Sequence, residues 1–354
     1  MNLSNYLPID EGTTAHFEEV YARYRLLHDD PERCRPMIII NTPVQLPVWE
    51  ERLADPLVML QAELDLLRPH LDIRDDRVPT VRVQFGTAQV AAAFGCQMVI
   101  PGNNLPAAGS HVLTAAGAVH GLKLPALDAG WYGKLMEWTE LWKKHLPTGV
   151  HIQLPDIQSA FNSAHLIRGN DILTDFYDCP EDVDLLLDKV TDFMLAITQR
   201  LKSTIGDDPE WFFDWGAMWK GAARISNCSM QMISPALYRE HILPRDVRFF
   251  DTLGGGRMHY CGMTADVIDD FMKVPAITGL DVDCTHHDFF ALCERAPARL
   301  VLMPTGEFGG NSPELMRLLQ GDWPCKRNIV IMAGASSVAD GRRLLEQLRA
   351  SIPY

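Results

Sequence analysis

At 354 residues, 47% apolar and 22% charged, the chain can bury a large core and lacks the composition of a disordered protein. Its formal net charge of −14 argues against nucleic acid or an anionic membrane as a main partner, while an anionic small molecule could still be held by a few arginines. No apolar run reaches the ~18 residues of a membrane span, and the opening MNLSNYLPIDEG lacks the basic start and apolar stretch of a signal peptide, so a cytoplasmic protein is expected.

Residues 1–35 read as a helical extension. Short β-rich runs then recur at Met37–Asn41, Thr80–Phe85, Val150–Leu154, Trp211–Trp215, Arg257–Tyr260, Ile277–Val282, Arg299–Met303 and Asn328–Met332. Helical periods separate them. From Glu181 to Leu201, Val183, Leu186, Leu187, Val190, Met194, Ile197 and Leu201 fall at three- and four-residue steps, after a start signalled by Asp178, Pro180 and Glu181. Further helices begin near Ser234–Pro235 and Ser312–Pro313, and a last one covers Val338–Ile352. Gly95–Gly130, rich in Gly, Ala and Pro, reads as a long loop.

Strand alternating with helix predicts a parallel sheet, and eight strands over this length suit an α/β fold of one (β/α)₈ TIM barrel, residues 1–354. A doubly wound sheet is second, because no glycine-rich phosphate loop follows the first strand. The eight cysteines show no CxxC pair, which removes the strongest signals for a zinc ribbon or a thioredoxin-like site.

Barrel enzymes carry their chemistry at the C-terminal ends of the strands. Those ends hold Asp156, Asp214 and Glu307, taken as catalytic candidates, and Trp215, Arg224 and Tyr260, taken as substrate contacts. Converging carboxylates need a cation, a proton or basic side chains to offset them. His259 and Cys261, two apart on a strand, point to one face and could share a metal ion, nitrogen and sulfur suiting Zn²⁺. Spacing alone favours the plainer reading, a core histidine beside a buried cysteine, since a lone HxC is a weak pattern. Arg168, Arg224 and Arg257 are possible anion clamps, with surface placement the plainer expectation. Met218, Met230, Met232, Met258 and Met263 are expected to pack the core.

The segments DFYDCPEDVDLLLDKVTDF (175–193), ISPALYREHILPRDVRFFDTLGG (233–255), MHYCG (258–262) and GLDVD (279–283) together resemble the uroporphyrinogen decarboxylase superfamily. The resemblance covers roughly residues 150–340 and implies a (β/α)₈ barrel with one of two chemistries. Decarboxylases are similar to one another at an arginine-rich N-terminal signature and at an Asp after an early strand. Here those places read TPVQLPVWEERLADP and Phe85-Gly86-Thr87. The resemblance therefore implies the other branch, cobalamin-dependent methyltransferases, in which a partner protein supplies the corrinoid and a thiol or other small molecule is the acceptor. It implies zinc held by His259, Cys261 and Asp283. That branch's further thiolate, in a turn after the last strand, is replaced by Ala333-Gly334-Ala335-Ser336, so another donor such as Glu307, Cys284 or Cys228 is required. The alternatives are a metal-free carboxy-lyase acting on a porphyrinogen or smaller carboxylate, and a non-catalytic barrel that binds a ligand or corrinoid.

Overall fold

The structure, a computed structural model, describes residues 3–206, 208–263 and 265–353. Its parallel strands, in chain order, are β1 (Met37–Asn41), β2 (Thr80–Val81), β3 (His151–Ile152), β4 (Ile157–Gln158) and β5 (Ala223–Ser226). They continue with β6 (Gly256–His259), β7 (Ile277–Val282), β8 (Val301–Pro304) and β9 (Val330–Gly334), and the two-residue strand Phe308–Gly309 also pairs parallel with β9. The longest ladder runs β4-β5-β6-β7-β8. A bridge from Leu302 to Ile329 leads from β8 towards β9, and β9 pairs with β1 from Met37 opposite Val330 to Asn41 opposite Gly334. β2 pairs with β3.

The fold is thus mixed α/β with parallel strands, as expected, but the closed ladder of a barrel is not seen among the described residues. The gap beside β1 has a physical cause. The buried Asp76 and Asp75 carboxylates accept from the amides of Ile38 and Ile40, each at 2.7 Å. Those amides would otherwise face a neighbouring strand.

A second expectation is corrected at Trp211–Trp215. Trp211–Asp214 folds back antiparallel onto Ala217–Lys220. Trp215 and Gly216 form the two-residue turn with φ of 50° and 70°, the positive pair that hairpins favour. The parallel strand of this region is β5, ARIS, which lies outside the eight expected runs.

The helices follow their patterns more closely. α1 spans Glu11–Asp29, α2 spans Pro56–Ile73 and α3 spans Pro180–Ile205. α3 buries the seven apolar residues that its period picks out and ends on Gly206 in the left-handed region. Its start differs: the N-cap is Cys179, without a side-chain cap bond, because Asp178 closes a preceding short helix, Ile172–Asp178. Two more helices matter below, α4 (Leu243–Leu253) and α5 (Val338–Ser351). The 95–130 stretch carries a small hairpin, Met98–Val99 with Ala107–Ala108, and a 3-10 turn. Among the described residues no helix is long and apolar enough to cross a membrane.

One buried acid makes stability depend on pH. Asp246 of α4 accepts from Asn227 Nδ2 at 2.6 Å and Tyr238 Oη at 3.1 Å. Burial nevertheless pushes its carboxyl up to about 7. The folded chain therefore keeps this proton to near neutrality, whereas the unfolded chain releases it near the ordinary value of 3.8. Its contribution to stability is full below that value, is lost as pH rises through about 7, and is level above. Asp246→Asn should remove this dependence, gaining about 2–3 kcal/mol on the parent between pH 5 and pH 8 in urea unfolding curves. Parallel pH profiles for the two proteins would remove the argument.

Candidate metal and active site

Alternation along β6 and beyond decides what meets at the site. Arg257, His259 and Cys261 share one face, while Met258 and Tyr260 turn to the other. β5 lies in register beside it, with Arg224 opposite Arg257 and Ser226 opposite His259. Two residues further along the same face, Cys228 comes alongside Cys261, their sulfurs 3.3 Å apart. His259 Nε2 is 3.2 Å from Cys261 Sγ. The donor atoms of Cys228, His259 and Cys261 all lie within 4.8 Å of one another, a possible metal-binding group.

The donor set fits zinc. Ligand bonds of ~2.0–2.3 Å to a tetrahedral ion place neighbouring donors ~3.5 Å apart, close to the distances here. Asp281 Oδ2 lies 2.7 Å from His259 Nδ1. An N–H donated there leaves the Nε2 lone pair facing the two sulfurs, the tautomer that a carboxylate enforces behind a metal-bound histidine. In the metal-free chain, Cys228 and a protonated His259 both donate to the Cys261 sulfur and hold its thiol below the ordinary range, against the effect of burial. Gly262 follows in a turn with φ of 81°, where a Cβ would run into the Gln231 amide, so only glycine fits.

Beneath the trio lies a buried ionic lattice. Arg257 is fully buried and reaches Asp214 Oδ2 at 2.5 Å and the Asp281 carboxylate. Arg82 also pairs with Asp214. Arg224 donates to Asp156 at 2.5 Å and lies 3.5 Å from Asp214 and 3.6 Å from Asp281. Three guanidiniums thus balance three carboxylates, which is how acids at strand ends coexist without a proton. Burial by itself raises the Asp281 carboxyl, but Arg257 and His259 outweigh it and bring it down to about 2. Asp156 is likewise held below its ordinary value: burial raises it, but Arg224, Arg82, His259 and the Ser226 hydroxyl together outweigh burial. Trp215 covers the lattice, its ring 5.0 Å from the Arg224 guanidinium, 5.3 Å from that of Arg257, and 5.6 Å from the His259 ring.

The expected residues are therefore placed as follows. His259, Cys261, Asp156, Asp214, Trp215 and Arg224 come together. Asp283 is not in the trio. Its carboxylate accepts from the amides of Gly262 at 2.7 Å and Thr285 at 3.0 Å, and so holds the loop. Tyr260 is fully buried on the helix side, near Phe271 and His287, rather than facing the trio. Glu307 is exposed on another part of the rim, accepting from Asn41 Nδ2 at 2.8 Å.

Arg224 and Arg257 are buried, not on the surface, and Arg168 is buried against Asp175 and Asp171. Met232 and Met263 are exposed instead of packing the core. Asp281, which orients His259, was not singled out among the candidates, although its place two residues before Asp283 on the same strand face was readable. Cys228 stood only among the alternative donors.

No family model matches the chain, and no curated protein does. Among solved structures the chain is similar to a methyltransferase from Methanosarcina mazei, with 14% identity, a TM-score of 0.67, and coverage of 94% of this chain and 97% of that one. The likeness is one of fold.

Proposed function

We propose that this chain is a corrinoid-dependent methyltransferase on a (β/α)₈-type scaffold, moving a methyl group between a corrinoid carried by a partner protein and a small thiol. The observation that carries the reading is the Cys228–His259–Cys261 trio, with His259 oriented by Asp281. The similarity in fold to a methyltransferase supports the reaction class.

Cys228, His259 and Cys261 would hold the zinc, leaving one position of a four-coordinate site for the acceptor thiol. Zinc, when bound, lowers the thiol's pKa and supplies a thiolate at neutral pH. Asp281 keeps the Nδ1 proton of His259 and so the tautomer. Arg224 and Arg257 offset the carboxylates, and Trp215 shields the lattice from water. Asp156 and Asp281 stay ionised at neutral pH, so their role is electrostatic and positioning rather than proton donation. In place of the acid expected of a decarboxylase stand buried Phe85 and Gly86, which packs against the Pro106 carbonyl.

The test uses purified protein reconstituted with zinc and then desalted. Supplied with methylcobalamin and a panel of small thiols, it should form thioethers and stop when a zinc chelator is added. Metal-free protein that methylates equally well, or zinc-loaded protein inert towards every thiol, would sink the proposal.

A further inference from the structure

We propose that a second cavity, at the opposite end of β1 from the candidate active site, binds a phosphate-bearing small molecule. Arg35 and Pro36 immediately precede β1 and line a cavity of about 460 Å³ together with Arg23 of α1, Arg74 at the end of α2, and Arg349 and Ile352 at the end of α5. Four guanidiniums converge there in a chain whose net charge is −14. The acidic groups around them are Glu19 in the wall, Asp76 paired with Arg23 and Arg349, and Asp10 beside Arg74. His16 adds a ring whose Nε2 is 2.9 Å from the Asp75 carbonyl oxygen.

Two of the four arginines are held in place. Fully buried Asp76 accepts from Arg23 at 2.6 Å and from Arg349 at 2.8 Å, besides the Ile38 amide. A third is placed by its backbone: Arg74 has φ of 57°, a left-handed conformation that is strained for a non-glycine residue. Its Nη1 donates to the Gly12 carbonyl at 3.3 Å. Arg35 is different. It is exposed and makes no hydrogen bond or ion pair among the described residues.

Cations at the ends of α2 and α5 also offset helix dipoles, and Asp76 accounts for Arg23 and Arg349. Neither reason accounts for Arg35. Planar guanidiniums fork onto phosphate oxygens, and several sharing one anion relieve their mutual repulsion. The cavity is larger than a phosphate group alone, and Pro36 and Ile352 give it an apolar wall. The ligand class that fits is a phosphate ester with a modest organic part.

Calorimetric titration of the whole purified protein with inorganic pyrophosphate, at low salt because exposed pairs are screened, tests this. The expected result is one saturable site with Kd of ~0.1 mM or tighter, with malonate binding much more weakly. Arg35→Ala should leave the melting temperature unchanged and weaken pyrophosphate about tenfold or more. Arg74→Gly should weaken it too while raising thermal stability, since glycine accepts this φ. No saturable binding, equal binding of malonate, or binding indifferent to Arg35→Ala would overturn the proposal.

Discussion

Replacing Cys228 with serine is expected to strip zinc from the reconstituted protein and to lower its thiol methylation by about 100-fold or more. The residue sits 33 positions before Cys261, yet its sulfur is 3.3 Å from that of Cys261. A serine hydroxyl there stays protonated at neutral pH and offers a hard, weak donor where zinc prefers thiolate. Cys261→Ser should act in the same way. Asp281→Asn should be milder, with zinc affinity down 10–100-fold, because it loosens the tautomer and orientation of His259 without removing a donor. The contrasting variant is Asp283→Asn, which alters the capping of Gly262 and Thr285 and should leave the zinc content near that of the parent. Elemental analysis after desalting reads all four. Full zinc in Cys228→Ser together with loss in Asp283→Asn would return Asp283 to the ligand set.

Arg257→Ala is expected to be the most destabilising single change in the lattice. The guanidinium is fully buried and faces Asp214 and Asp281. Its removal leaves two buried carboxylates short of a cation, a loss of about 3–5 kcal/mol. For a chain of this size that corresponds to a fall in melting temperature of about 4–7 °C. Arg257→Lys retains the charge but cannot fork between two acids, so it should fall between alanine and the parent. Combining Arg257→Met with Asp281→Asn should cost less than the two changes summed, since each removes the other's unpaired charge. Thermal unfolding of the metal-free proteins separates this effect from metal binding. An Arg257→Ala protein that melts within 2 °C of the parent would mean that water or rearrangement takes over the charge.

Features whose information is local were legible in the chain before any tertiary contact. The three- and four-residue apolar steps of 181–201 became the buried stripe of α3, because helix period and burial are properties of one segment. MIIIN became β1 with the predicted bounds. Alternation in RMHYC already put Arg257, His259 and Cys261 on one face, with Tyr260 on the other. By the same alternation Tyr260 faces away from His259 and Cys261, which is why it packs beside Phe271 and is not placed to contact substrate.

Tertiary structure decided what depends on which strands become neighbours. Cys228 joins His259 and Cys261 only because β5 pairs with β6 in a register that sets Ser226 beside His259. Asp281 and Asp283 share a strand face, so alternation could not choose between them. The choice fell to their surroundings: Asp281 lies at full depth beside Arg257 and His259, whereas Asp283 meets the free amides of the loop. WFFDW has the composition of a buried strand, and nothing local distinguishes a barrel strand from half of a hairpin. The turn at Trp215-Gly216 resolved it, and so brought the indole over Arg224 and Arg257. Burial of the arginines was illegible for the same reason, since a charged side chain enters the interior only where folding has already gathered its counter-charges.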